Sequence, residues 1–525
     1  MPRIRNPILP GFHPDPSILR VGKWYYIANS TFEWFPGVEL HRSQDLVHWE
    51  TLPSPLQRIS QLDMEGNPPS GGIWAPCLSY ADGLFWLIYT DVKHWTPRPF
   101  KDANNYLVTS PTPEGPWSEP VFLNATGFDP SLFHDDDGRK WLVNMEWDYR
   151  KEGKGHFAGI LLQEYDPIQR RLIGPMHKVF TGSPIGMTEG PHLYKRNGWY
   201  YLVVAEGGTQ YDHAVTVARS RSILGPYELH PGNPLVTSRG RRDLYLQKAG
   251  HGSWCDTPDG RTYIAFLVGR PLPGTDRCIL GRETALAEIV WKTDWPWLKE
   301  GGNLAPDGFD AEVERKEAPS IIEYSFSDAR FLLDFKTLRI PFQEPMFSIN
   351  ERAGFLRIRG GESLQSRHRQ AVIARRQEHF SFRAETAVEF EPFSFHQMAG
   401  LMYRYDELSQ FYLRVSFDEK IGKCLGLLVF EQGRFRLPLG ENEIPLPKGR
   451  IHLGVETKGK DCQFYYSLDG SRWKPVGPLL DASVLSDDAA TPLGFTGAMV
   501  GMACQDAVSR SAYADFAYFR YQVLP

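Results

Sequence analysis

The sequence predicts an all-β chain, a five-bladed β-propeller followed by a β-sandwich. Three observations carry this. A glycine-led aromatic hairpin recurs five times before residue 300 at intervals of 55–62 residues, helical periodicity is nearly absent from that half, and the second half alternates apolar and polar residues with a period of two.

The first copy is Gly22-Lys23-Trp24-Tyr25-Tyr26-Ile27. The others begin Gly83-Leu84-Phe85-Trp86, Gly138-Arg139-Lys140-Trp141, Gly198-Trp199-Tyr200-Tyr201 and Gly260-Arg261-Thr262-Tyr263. Asp82, Asp137, Asn197 and Asp259 precede the glycine in four of them, and Asp-Gly or Asn-Gly supplies the positive φ angles of a tight hairpin. More polar stretches follow, such as Asn105–Thr109 and Ala214–Ala218, and read as outer strands of the same unit. Four short strands per unit, repeated in a ring, describe a propeller over residues 1–305. A polar stretch from Gly301-Gly302-Asn303 to Pro319 reads as a linker, set at 306–320. In the sandwich, 321–525, Phe380, Phe382, Ala384, Thr386, Val388 and Phe390 fall on one face of a strand. Further strands are expected at 411–417, 425–430, 451–456, 463–468 and 513–523, with Asp469-Gly470 turning a hairpin.

At 525 residues the chain exceeds a single hydrophobic core. A net charge of −5 with 23% charged residues is a poor match to a nucleic-acid or anionic-membrane binder. Six scattered cysteines form neither a C-x-x-C pair nor a zinc-spaced cluster, so free buried thiols in a reducing compartment are expected. The first residues hold no apolar signal core, and no apolar run is long enough to span a bilayer. A cytoplasmic protein is the expectation.

The segment before each hairpin should be the innermost strand, beside the axis. The copies begin Asp15-Pro16-Ser17, Ala75-Pro76-Cys77, Asp129-Pro130-Ser131, Glu189-Gly190-Pro191-His192 and Ala249-Gly250-His251. Asp15, Asp129 and Glu189 are thus expected at one ring position and should meet in one funnel. Asp before Pro often only starts a turn, but a purely structural ring has no use for three gathered carboxylates. Crowding raises the pKa of at least one of them. Glycoside hydrolysis needs that asymmetry, with one carboxyl protonated to release the leaving oxygen and one ionised to activate water or attack carbon. Phe32, Trp34, Phe35, Trp74 and Phe128 stand near these positions as candidates for a sugar floor, against the simpler role of core packing. Asp135-Asp136-Asp137-Gly138 reads as a hairpin turn, since Phe133 breaks the EF-hand spacing. Arg239–Arg242 reads as a solvated loop. His251 occupies the axial position of the fifth blade and is the one histidine placed to hold a metal or a water network.

The stretches Phe12-His13-Pro14-Asp15-Pro16-Ser17, Ser30-Thr31-Phe32-Glu33-Trp34-Phe35-Pro36-Gly37, Gly72-Ile73-Trp74-Ala75-Pro76, Gly127-Phe128-Asp129-Pro130-Ser131, Thr188-Glu189-Gly190-Pro191-His192, Ala205-Glu206-Gly207-Gly208-Thr209, Lys248-Ala249-Gly250-His251 and Leu280-Gly281-Arg282-Glu283-Thr284-Ala285 resemble glycoside hydrolase family 43, above all its two-domain β-xylosidases. The resemblance covers nearly the whole chain. It implies a propeller with a concanavalin-like (lectin-like) sandwich and exo-acting release of xylose from the non-reducing ends of β-1,4-xylooligosaccharides with inversion. Asp15 would be the general base, Glu189 the general acid, and Asp129 the residue that tunes and orients the acid. Arg282 would hold the terminal sugar, with Phe32, Trp74, Ala75, Phe128 and Thr209 lining the pocket. The segment Phe495–Gly501 would reach over from the sandwich, with Met499 where such enzymes often carry an aromatic. His251 matches a channel histidine associated with a calcium-centred water network, although no cofactor is required for the chemistry. A homo-oligomer, dimer or tetramer, is also implied. An α-L-arabinofuranosidase or a dual enzyme is the neighbouring reading. A fructan-cleaving propeller is disfavoured by the absence of Asn-Asp-Pro-Asn-Gly, and a propeller that only binds glycans by the intact acids.

Overall fold

The computed structural model describes residues 1–95 and 99–525. Five antiparallel four-stranded units follow one another, each strand pairing with its neighbour in sequence. Their innermost strands are Ser17–Val21, Gly72–Ala81, Ser131–His134, Glu189–Arg196 and Gln247–Asp256. Each turns through its glycine-led hairpin into the second strand: Trp24–Asn29, Leu84–His94, Lys140–Trp147, Trp199–Glu206 and Thr262–Gly269. Val236–Thr237 adds a short fifth strand to the fourth blade.

Because every blade is built from one continuous stretch, the ring is not closed by a shared sheet. Side chains at the axis join neighbouring blades, and the segment leading into blade one bonds to blade five through its backbone, His13 N–H to Arg282 O (2.8 Å) and Ile8 N–H to Thr284 O (2.9 Å). The Ser253 hydroxyl donates to Pro16 O (2.8 Å) and accepts from Ile18 N–H (2.8 Å), joining blades five and one. Ser17 Oγ accepts from Leu78 N–H (3.1 Å), joining one and two, and Tyr194 Oη accepts from Trp254 N–H (2.9 Å), joining four and five. The N-terminal strand Arg3–Arg5 pairs with Gly308–Asp310. This moves the domain boundary. The first part of the expected 306–320 linker belongs to the propeller, because the backbone of 308–310 completes its hydrogen bonding on the N-terminal strand.

The sandwich starts at Ile321–Tyr324 and packs an eight-stranded sheet on a nine-stranded one. The alternation read from sequence lies on Ser381–Glu389, where Phe382, Ala384, Thr386 and Val388 are fully buried. The nine-stranded sheet faces the propeller. One apolar cluster runs without a break from Phe12, Phe32 and Trp74 through Met402, Tyr412 and Met499. Each such large side chain contributes about 1.5–3 kcal/mol when taken from water, so the two domains share a core. They also share a sheet, because Trp34–Phe35 leaves blade one and pairs with Phe335–Leu338. Trp34 and Phe35 are therefore interface residues, not the sugar floor expected of them. All six cysteines are buried and unpaired. No helix among the described residues is long and apolar enough to cross a membrane.

Candidate active site

The axial ends of the inner strands share an unusual backbone. Asp15, Ala75, Asp129, Gly190 and His251 all have positive φ, between 33° and 56°. Four of the five are not glycine, at a cost of roughly 1–2 kcal/mol each. Strain repeated around the axis marks this position as the built one. It also corrects the expected register. Gly190 is the equivalent of Asp15 and Asp129, while Glu189 stands one residue earlier. The extra residue is absorbed by a break in pairing register between Glu189 and His192, so Glu189 still enters the same hollow. Gly190 fits tightly there, since a Cβ on it would lie 2.8 Å from the His251 ring.

The hollow is a cavity of about 360 Å³ lined by Asp15, Asp129, Glu189, His251, Arg282 and Thr209 together with aromatic walls. That is at the small end of the roughly 300–1,000 Å³ of ligand pockets and suits a short saccharide. Phe32, Trp74 and Phe128 line it as expected, joined by Trp147 and Phe157. Ala75 does not line the cavity. Its N–H donates to Ser30 Oγ (2.8 Å), and the Ser30 hydroxyl donates to Asp15 Oδ2 (2.7 Å), so its part is to anchor that serine.

Met499 is also displaced from its expected role. It is 1% exposed in the interdomain core, on a strand, Met499–Asp506, that pairs with sandwich neighbours on both sides. The sandwich residues in the pocket wall are Leu493 and Phe495. Phe495 stacks on Phe32 (6.0 Å, 26°) and meets Trp74 edge to face (5.4 Å). The propeller fixes its backbone twice: Phe495 N–H donates to Ser70 Oγ (2.9 Å), and Arg282 Nη2 donates to Phe495 O (2.9 Å).

The acids are buried but unequally served. Burial works against the Asp15 charge. The Arg282 guanidinium (Nη1 to Oδ1, 3.3 Å), His251 and the Ser30 hydroxyl outweigh it and hold the carboxyl below the usual Asp range. Glu189 has no hydrogen bond to its carboxyl among the described residues. Burial and then the Asp15 charge push it well up, against the opposing pull of Arg282 and Lys101. Asp129 rises for the same reasons, burial first and then Glu189 and Asp15, while accepting Gly190 N–H (3.1 Å). Asp129 and Glu189 therefore titrate as a pair that keeps a proton at neutral pH. Lys101, which no sequence signal marked, reaches the same cavity. Burial pushes it down to about 8, with Glu189 pulling the other way.

Residues 4–296 match the model of glycosyl hydrolases family 43. The chain belongs to that family. Residues 323–522 match the beta xylosidase C-terminal concanavalin A-like domain. The chain is 49% identical to a xylosidase/arabinosidase 43B of Humicola insolens, over 99% of this chain and 98% of that one. It is 47% identical to a beta-xylosidase of Bacillus subtilis strain 168, over 99% of both. The crystal structure of a xylan beta-1,4-xylosidase from Bacillus halodurans C-125 superposes with a TM-score of 0.95 at 52% identity, covering 99% of this chain and all of that one. Membership makes this protein a glycoside hydrolase.

His251 is the side chain that would face a calcium-centred water network. Around it stand His192 (ring centroids 6.4 Å apart), His213, Arg282 and Asp15. The ion takes about 6–8 oxygen ligands. Asp15 alone among these groups offers oxygen, so an ion there would take most of its ligands from water, with His251 facing that shell. Among the described residues, metal-ligating side chains do gather at His13, Glu39 and His41. There Glu39 is bonded by Arg376 and faces Lys336 (3.7 Å), so the carboxylate already has its cations.

Proposed function

We propose that this protein is an exo-acting β-xylosidase that releases xylose from the non-reducing ends of β-1,4-xylooligosaccharides in a single inverting step. One observation carries the reading: within one small cavity, Asp15 is held ionised while the Asp129–Glu189 pair retains a proton. Glu189, whose carboxyl is tied to no other group, gives that proton to the glycosidic oxygen. Asp15 takes a proton from water as it attacks the anomeric carbon from the opposite face. Asp129, fixed by Gly190 N–H, shares that proton with Glu189, while burial and the Asp15 charge keep Glu189 from losing it. Arg282 binds Asp15 and Phe495 together and presents its guanidinium to the terminal sugar. An inverting pair of carboxyl groups stands roughly 6.5–9.5 Å apart to admit the water.

The relatives' names support the substrate, and the Humicola relative adds arabinose, which favours an α-L-arabinofuranosidase side activity. Parallel assay of the two nitrophenyl glycosides separates the activities. The unpaired buried thiols support a reducing, cytoplasmic setting. A homo-oligomer, to be weighed by light scattering, completes the reading. The test of the chemistry is Asp15→Asn and Glu189→Gln on xylobiose. Each removes acid or base assistance worth about 10²–10⁴ in rate, with thermal unfolding still cooperative. Near-normal hydrolysis by either variant overturns the assignment.

A further inference from the structure

The Glu189 carboxyl accepts no hydrogen bond among the described residues, so its aim is set at the root of the side chain. The backbone gives little hold there. Glu189 pairs with Ala205, and the register then slips until His192 meets Val203. On the other side of Glu189, Thr188 lies just outside the strand. What fixes Thr188 is a side chain: its hydroxyl donates to Glu206 Oε1 (2.8 Å).

Glu206 ends the second strand of the same blade, immediately after Ala205, and is fully buried. Both of its oxygens are occupied. Oε1 also accepts from Ser183 N–H (2.7 Å), and Oε2 accepts the hydroxyls of Ser183 and Thr216, the latter at 2.8 Å from the third strand, Ala214–Ser220. Burying a carboxyl is costly unless its oxygens are bonded, and four donors meet that cost here. The result is a clasp that ties the loop leading into the inner strand to the two strands behind it. The loop has no slack, since Gly207 N–H donates to Gly186 O (2.8 Å) and a Cβ on Gly182 would lie 2.2 Å from Thr188 Oγ1. Glu206, Thr188 and Ser183 do not themselves line the cavity, so what they govern is the placement of residues that do.

We propose that Glu206 is the positioning residue of the general acid, holding Thr188 and through it the root of Glu189, so that the carboxyl meets the glycosidic oxygen. This rests on the assignment of Glu189 as the acid.

The test compares two leaving groups. Xylobiose needs its leaving oxygen protonated, whereas a dinitrophenyl β-xyloside expels a stable phenolate that needs little help from an acid. Thr188→Val keeps the shape and removes the hydroxyl. It should lower kcat/KM on xylobiose by about tenfold more than on the dinitrophenyl xyloside, equivalent to about 1.4 kcal/mol. Glu206→Gln, which turns one acceptor into a donor at nearly the same volume, should show the same inequality, and Thr188→Ser, which restores the hydroxyl, should remove it. Equal losses on the two substrates, or no loss on either, overturn the proposal, because a purely structural role does not distinguish leaving groups. So does a Thr188→Ser variant that behaves like Thr188→Val. Failure of the parent reading looks different: Glu189→Gln should show the largest inequality of all, and equal losses there would remove Glu189 as the acid and the proposal with it.

Discussion

Replacing Ser30 by alanine isolates the control of one carboxyl. The Ser30 hydroxyl is a relay, receiving Ala75 N–H and donating to Asp15 Oδ2 at 2.7 Å. A hydrogen bond to a charged group contributes about 1.5–3 kcal/mol, and part of it survives when the carboxyl is protonated. Taking the lower figure as the difference between the two states, and about 1.36 kcal/mol per pKa unit, Ser30→Ala should raise the Asp15 pKa by about one unit. The sign follows from the folded protein. Asp15 lies below its ordinary value, so its ionised form is favoured at neutral pH and lost as pH falls. Weakening that hold moves the loss to higher pH. In a pH profile of kcat/KM on xylobiose, the acid limb should shift up by about one unit. The alkaline limb should stay, because Ser30 is not among the groups that set the Glu189 and Asp129 shifts. An unmoved acid limb, or a shift of the alkaline limb alone, would refute the assignment of Asp15 as the ionised partner.

Glu189→Gln should raise the unfolding temperature, by an amount that grows from acid to mildly alkaline pH. The buried acid resists ionisation, so the native protein loses stability as pH rises above the ordinary Glu value. A pH-independent difference in calorimetry would contradict this. Gly190→Ala places a Cβ 2.8 Å from His251 at a φ of +56° and should cut kcat by at least about 10², as ångström-scale misplacement does; steady-state kinetics with a check of folding by circular dichroism decides it. Phe495→Ala removes the ring stacked on Phe32 and should raise KM more than it lowers kcat, read from initial rates across substrate concentration.

Much of this architecture was legible because it repeats. Asp-Gly and Asn-Gly hairpins recur at blade spacing, and the Pro-led inner strands pointed to the axis. What the repeat could not give was register. Glu189 resembles Asp15 and Asp129 only if the pairing slip before His192 is ignored, and that slip is a property of the folded strand. Met499 and Phe495 lie four residues apart in one segment, and which of them faces the cavity depends on how the sandwich strand begins. Lys101 and Trp147 carry no local signal, since a lysine just before a third strand becomes a pocket residue only when two blades converge. Trp34 and Phe35 read as ligand aromatics by proximity to the motif, whereas pairing with Phe335–Leu338 spends them on the domain interface.

The central claim is a split in protonation between Asp15 and the Asp129–Glu189 pair that drives direct attack by water. Proton NMR of xylobiose during the first turnovers tests it most directly. The account predicts that the newly released non-reducing-end sugar appears as α-xylose before mutarotation, and β-xylose as the first anomer would contradict it.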